Sequence, residues 1–197
     1  YSGSLASKAL LSKVYLYEGK FTEAATLADE VINNDEGYAL EMQYADIFKN
    51  SFNSSEVIFA PLTGPNNEGK TQMSQVNRTS FSQTLKTLAD AQVGTTTDGS
   101  LSGAGSGYDP RFAFAYAAST KKSNGNGKYP FLDQISSQGN TLYHLRLGEI
   151  YLIKAEAEAR RTGGDLDTAL ESLNEIRMRA GVTPKDLSTQ AALLSDI

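Results

Sequence analysis

The sequence predicts a mainly α chain, with two helical hairpins and a region of loops and short strands inserted between them. Three observations predict it. Apolar residues recur at helical spacing over 4–33, in a stretch broken by Gly19. They do so again over 145–181, in a stretch broken by Gly163-Gly164. From Leu62 to Tyr143 the helical period disappears, and Gly, Ser, Thr and Asn accumulate instead.

In the first hairpin, Ser4 is placed to cap a helix carrying Ala6, Ala9, Leu10, Val14 and Tyr17, which Gly19 ends. Thr22 is placed to cap a second, with Ala24, Ala25, Leu27, Ala28, Val31 and Ile32. Residues 38–50 read as an irregular connection with one short helix near Tyr44–Phe48. Glu56 to Ala60 reads as a short buried strand that Pro61 closes. Further on, Phe112, Phe114 and Tyr116 alternate with Ala113, Ala115 and Ala117, the pattern of a strand with one aromatic and one small face over 108–119. Two Asn-Gly pairs in 121–128 predict a tight hairpin turn, because Asn-Gly accepts positive φ angles. Residues 128–132 are then the returning strand, held to a sheet edge by Pro130. Residues 56–143 are thus an insertion of loops with a short β-hairpin.

The second hairpin spans 145–181. Leu147, Ile150, Tyr151, Ala155 and Ala159 line its first helix, which Leu145, Leu152 and Ile153 make apolar on most sides. Gly163-Gly164 ends that helix, and Asp165 or Asp167 caps the next. Leu166, Ala169, Leu170, Leu173 and Ile176 form one stripe on the second helix. Gly181 stops it and Pro184 blocks resumption. A further helical pattern starts at Leu187 and runs to Ile197 through Ala191 and Leu194. The hairpins repeat each other at a shift of 145, which matches Gly19 with Gly164, Phe21 with Leu166, Ala24 with Ala169, Ala28 with Leu173 and Val31 with Ile176. Glycine, then a bulky residue, then alanine at this spacing is the pattern of a tetratricopeptide-type hairpin, in which the alanine lets two helices approach. One such unit cannot bury both its faces, so each needs a neighbour.

Composition narrows the function. The chain has 197 residues with 18 basic and 23 acidic side chains, a net charge of −5. Its basic clusters, Lys121-Lys122 and Arg160-Arg161, are too short for a nucleic-acid footprint. There is no cysteine, so disulfides and thiolate chemistry are excluded. No apolar run approaches the roughly 18 residues of a membrane-spanning helix.

The run LRLGEIYLIKAEAEARRTGG, with the following AL and LNEIRMRAG, resembles the signature of the SusD/RagB family of outer-membrane nutrient-binding lipoproteins of Bacteroidetes. The stretches KALLSKVYLYEGKFTEAATLADEVIN, FKNSFNSSEVIFA, YDPRF and Lys128-Tyr129 fall in that family's order. Family members are longer, and their lipidated N-terminal region and C-terminal continuation lie outside this sequence. The chain therefore reads as a partial SusD-like domain over 1–197, an internal fragment of an α/α superhelix. The resemblance implies a non-catalytic, surface-exposed protein of the outer membrane. Its full-length form is lipid-anchored, takes up an oligosaccharide, polysaccharide or other nutrient, and docks on a SusC-like TonB-dependent channel. It implies no cofactor.

Sugar rings present apolar C–H faces to flat aromatic side chains, while amides bond their hydroxyls. On this chemistry the candidate ligand residues are Tyr108, Tyr116 and Tyr129, with Asn66 and Asn67, all in the insertion. Phe112, Phe114 and Tyr116 also suit ordinary packing against the helices. The single histidine, His144, reads as a structural residue at a helix entry. Glu149, Glu156 and Glu158 share one helix and read as a solvated face with ion pairs, among them Glu156 with Arg160. Asp98, Asp109 and Asp133 lack the spacing of a calcium loop, so no metal site is expected. Two other readings remain open. A tetratricopeptide-type protein-interaction scaffold would need a concave surface with clustered Lys, Arg or Asn. An all-α polysaccharide-active enzyme would need two carboxylates about 5–10 Å apart across a cleft.

Overall fold

The computed structural model describes residues 3–50, 53–60, 111 and 143–197. In chain order these form α1 (Ser4–Tyr17), α2 (Phe21–Ile32), α3 (Tyr44–Asn50), β1 (Val57–Phe59), β2 (Leu145–Arg146), α4 (Leu147–Arg160), α5 (Leu166–Arg179) and α6 (Gln190–Asp196). The fold is mainly helical, as the periodicity predicts. Of the expected aromatic strand over 108–119, only Arg111 is described, half-buried and in helical backbone. The remainder of that strand and the 121–132 hairpin lie outside the described residues.

The two hairpins stack as consecutive repeats. α2 packs against α1 on one side and against α4 on the other, and α5 and α6 continue the stack beyond α4. Small residues make the central contact close: Ala24, Ala25 and Ala157 form one buried layer, with Phe21 and Leu16 against it. The main core lies alongside, where Leu5, Ala9, Ala28 and Val31 meet Ile58, Leu145, Leu147, Ile150 and Ile153. Ala155, Ala159, Ala169, Leu173 and Leu193 close the far end. Two ion pairs staple the hairpins together, Lys13 of α1 to Glu149 of α4 at 2.6 Å and Lys154 of α4 to Asp29 of α2 at 2.5 Å. α1 leaves Leu10, Val14 and Tyr17, spaced along one face, exposed.

Several local expectations are corrected. Neither Ser4 nor Thr22 is a cap, since α1 begins after Gly3 and α2 after Lys20, both without a side-chain cap. Asp165 does cap α5, accepting from the Asp167 N–H at 3.0 Å. Gly19 and Gly163 take the left-handed backbone, and Gly164 does not. The reason is in the turn lengths. α4 begins 143 residues after α1, but α5 begins 145 after α2, so the second turn has two extra residues. Leu145 belongs to a strand and not to the helix, and α4 begins at Leu147. β2 pairs antiparallel with β1, Val57 opposite Arg146 and Phe59 opposite Leu145, with an irregularity in register between them. The last helix starts at Gln190 and not at Leu187, capped by the Thr189 hydroxyl, and buries Leu193 in place of Leu194.

Candidate functional site

The insertion leaves the scaffold after β1 and returns through β2, so this strand pair is its root. A buried charge stands at the root's inner edge. Glu56 is fully buried and its carboxylate pairs with Arg179 at the end of α5. The same carboxylate accepts from the Glu41 N–H at 3.3 Å and lies 3.8 Å from the Arg146 guanidinium. The Glu56 carbonyl accepts from the Leu147 N–H at 2.9 Å, which satisfies one of the free N–H groups that open α4. Gly148 makes the room, because a Cβ there would lie 2.8 Å from Glu56 Oε1 and 3.1 Å from Arg179 Nη2. Around the charges is an aromatic layer. Arg179 stands 5.5 Å from the Tyr44 ring and Arg146 5.8 Å from the Phe48 ring, and Phe48 meets Tyr44 and Tyr143 edge-on at 5.2 Å each.

A second carboxylate holds the approach to β1. Glu41 accepts from the Ser54 hydroxyl at 2.7 Å, the Ser55 N–H at 3.0 Å and the Asn50 amide at 3.3 Å. Burial by itself raises its pKa, but the hydrogen bonds from Ser54, Asn50 and Ser55 outweigh it and hold the carboxyl below its ordinary value of 4.5. A depressed folded-state pKa contributes stability above the unfolded value, and that stability is lost as pH falls through the folded one. Urea midpoints of the wild type and Glu41→Gln should therefore differ by a constant amount above about pH 5 and converge at lower pH. A difference that ignores pH would refute this role for Glu41.

Among the clefts on the described surface, three are lined by scaffold and root residues. One, of about 410 Å³, lies between α1 and the root, walled by Ala6, Leu10, Phe59, His144 and Leu145. It is predominantly apolar, and the Phe59 and His144 rings stand tilted at its rim with centroids 6.0 Å apart. A second, of about 300 Å³, lies beside Arg179 between Met42 and Met178, both exposed. The third, of about 440 Å³, is the polar groove where α2 meets α4 and α5. Its cations are bound within it, Lys154 to Asp29 and Arg161 to Glu158 at 2.7 Å. The free cation cluster that an interaction groove needs is therefore not offered there.

The predicted ligand residues Tyr108, Tyr116, Tyr129, Asn66 and Asn67 lie outside the described residues. His144 is exposed at the root, and its N–H donates to the Phe59 carbonyl at 3.2 Å. Of the helical acids, Glu156 pairs with Arg160 at 2.7 Å as expected, and Glu149 pairs with Lys13. Glu158 is not on a solvated face. It is buried against Arg161 and accepts from the Asp165 N–H at 3.2 Å. Among the described residues no three His, Cys, Asp or Glu are placed to hold a metal ion. Glu56 and Arg179 are the partners that sequence reasoning missed. The available signals were an acid opening an apolar strand run, and an arginine three residues beyond Ile176 on the buried stripe of α5.

The architecture defines a class: stacked helical hairpins that carry a large insertion on a strand-paired root. The sequence model of the SusD family matches residues 74–197, and the chain belongs to that family. Solved structures show the same fold. A SusD-like carbohydrate binding protein from Bacteroides vulgatus is 19% identical with a TM-score of 0.62, over 95% of this chain and 39% of that one. A SusD superfamily protein from Bacteroides thetaiotaomicron is 23% identical with a TM-score of 0.60, over 98% and 44%. A laminarin binding SusD-like protein is 22% identical with a TM-score of 0.64, over 97% and 50%. The chain thus spans half or less of the length of each. No curated protein sequence matches it.

Proposed function

We propose that the chain belongs to a non-catalytic glycan-binding protein. Its insertion carries the ligand contacts and its stacked helices carry the insertion. Family membership is the observation that carries this reading, and the laminarin binding relative supports a polysaccharide ligand. Tyr108, Tyr116 and Tyr129 supply flat faces for sugar rings, and Asn66 and Asn67 supply amides for hydroxyls. The full-length protein sits on the outer membrane surface through a lipid anchor and passes its ligand to a SusC-like TonB-dependent channel. The test is affinity electrophoresis through gels containing a panel of soluble polysaccharides, laminarin among them. Retardation by one glycan, lost in Tyr108→Ala or Tyr129→Ala, is the expected result. Unchanged mobility across the panel, for this chain and for its full-length parent, would overturn the proposal.

A further inference from the structure

The Glu56–Arg179 pair costs desolvation at both ends, yet it is incompletely satisfied. Glu56 Oε1 and Arg179 Nε are both buried without a hydrogen-bond partner. A buried pair of this kind contributes little net stability compared with an apolar filling, but breaking it on one side is costly. Such a pair then has a role other than net stability, and its position supplies one. Through side chain and backbone together, Glu56 touches four separate pieces of the chain: the 39–41 approach, β2 at Arg146, the first turn of α4 at Leu147, and the last turn of α5 at Arg179. The first three lie in or directly beside the β1–β2 root of the insertion. The fourth is the far end of the second hairpin, 123 residues on from Glu56.

We infer that Glu56 and Arg179 form a latch that fixes the root of the insertion to the end of α5 and can open without dismantling the helical stack. The stack has its own cohesion, since the Ala24–Ala25–Ala157 layer and the Lys154–Asp29 pair lie away from the latch. The root packs Ile58 and Leu145 into the main core but has few hydrogen bonds of its own. It is a strand pair of three and two residues, and a two-stranded sheet is marginal alone. With the latch open the β1–β2 root becomes a local unfolding unit. By reciprocity, anything that orders the root also holds the end of α5.

The experiment is amide hydrogen exchange on the whole chain, comparing the wild type with the double variant Glu56→Gln/Arg179→Met. The double variant removes both charges together, so no unpaired buried ion remains to unfold the protein. The Leu147 and His144 amides, which donate across the root, report the latch. Ala28 and Ile153, inside α2 and α4, report the stack. Protection at Leu147 and His144 should fall about tenfold or more while Ala28 and Ile153 keep theirs. Unchanged protection at the root would show that packing alone holds it. An equal loss at all four amides would show a global stability change and no latch. Either result overturns the inference.

Discussion

Arg179→Met should destabilise the chain by about 3–5 kcal/mol, the cost of leaving a buried charge without its partner. Glu56 is inaccessible to water, and its nearest other cation, Arg146, is 3.8 Å away and partly solvated. Methionine is apolar and of similar length but removes the guanidinium that stands over the Tyr44 ring, so the loss reports charge, hydrogen bonding and that ring contact more than volume. The double variant with Glu56→Gln should recover a large part of the loss. Urea unfolding of the two single variants and the double closes the cycle, and strict additivity would show that the two residues act independently.

Gly164→Ala should cost about 3 kcal/mol or more. A Cβ at this position would lie 1.9 Å from the Glu158 carbonyl oxygen and 3.0 Å from that of Arg161. The obstruction is backbone, which cannot rotate aside as a side chain can. Relief requires the turn between α4 and α5 to shift, and with it the Asp165 cap and the Glu158 bond to the Asp165 N–H. Gly163→Ala would have a different cause, the strain of a left-handed backbone at φ 68°, because nothing stands within 4 Å of its missing Cβ. Thermal melts of the two variants separate collision from strain, and equal shifts would argue against the collision.

The helices were legible because their apolar stripes are long and regular. Leu166 to Ile176 marks its own buried face at 3.6-residue spacing, and the structure buries Ala169, Leu173 and Ile176 accordingly. The tetratricopeptide-like spacing implied that each hairpin needs a neighbour, and the structure shows that the two hairpins are each other's neighbours. What failed depended on partners remote in sequence. Leu145 and Arg146 continue a helical pattern into α4 and become a strand only because β1 lies beside them. Glu56 is an ordinary acid at a strand start until Arg179 is brought to it. Glu158 reads as part of a solvated face, but the longer second turn folds back over it and buries it. The caps went astray because Ser4 and Thr22 are good capping types placed inside the first turn, where their neighbours had already begun the helix. The ligand residues named from composition lie in the insertion, where no periodicity guided the reading.

The contact between α2 and α4 joins helices that are adjacent in space but end and begin at Ile32 and Leu147 in the chain. Most of the chain between them is the insertion, which the scaffold closes once, at the β1–β2 pair. The entropy of closing a loop grows only with the logarithm of its length, so doubling such a segment costs about 0.6 kcal/mol. A stack built this way is nearly indifferent to how much chain it carries and sensitive only to the few residues at the closure. The segment between β1 and β2 can therefore be lengthened, shortened or exchanged like a cassette with the helices retained, provided that Glu56, Gly148 and Arg179 stay at its seam.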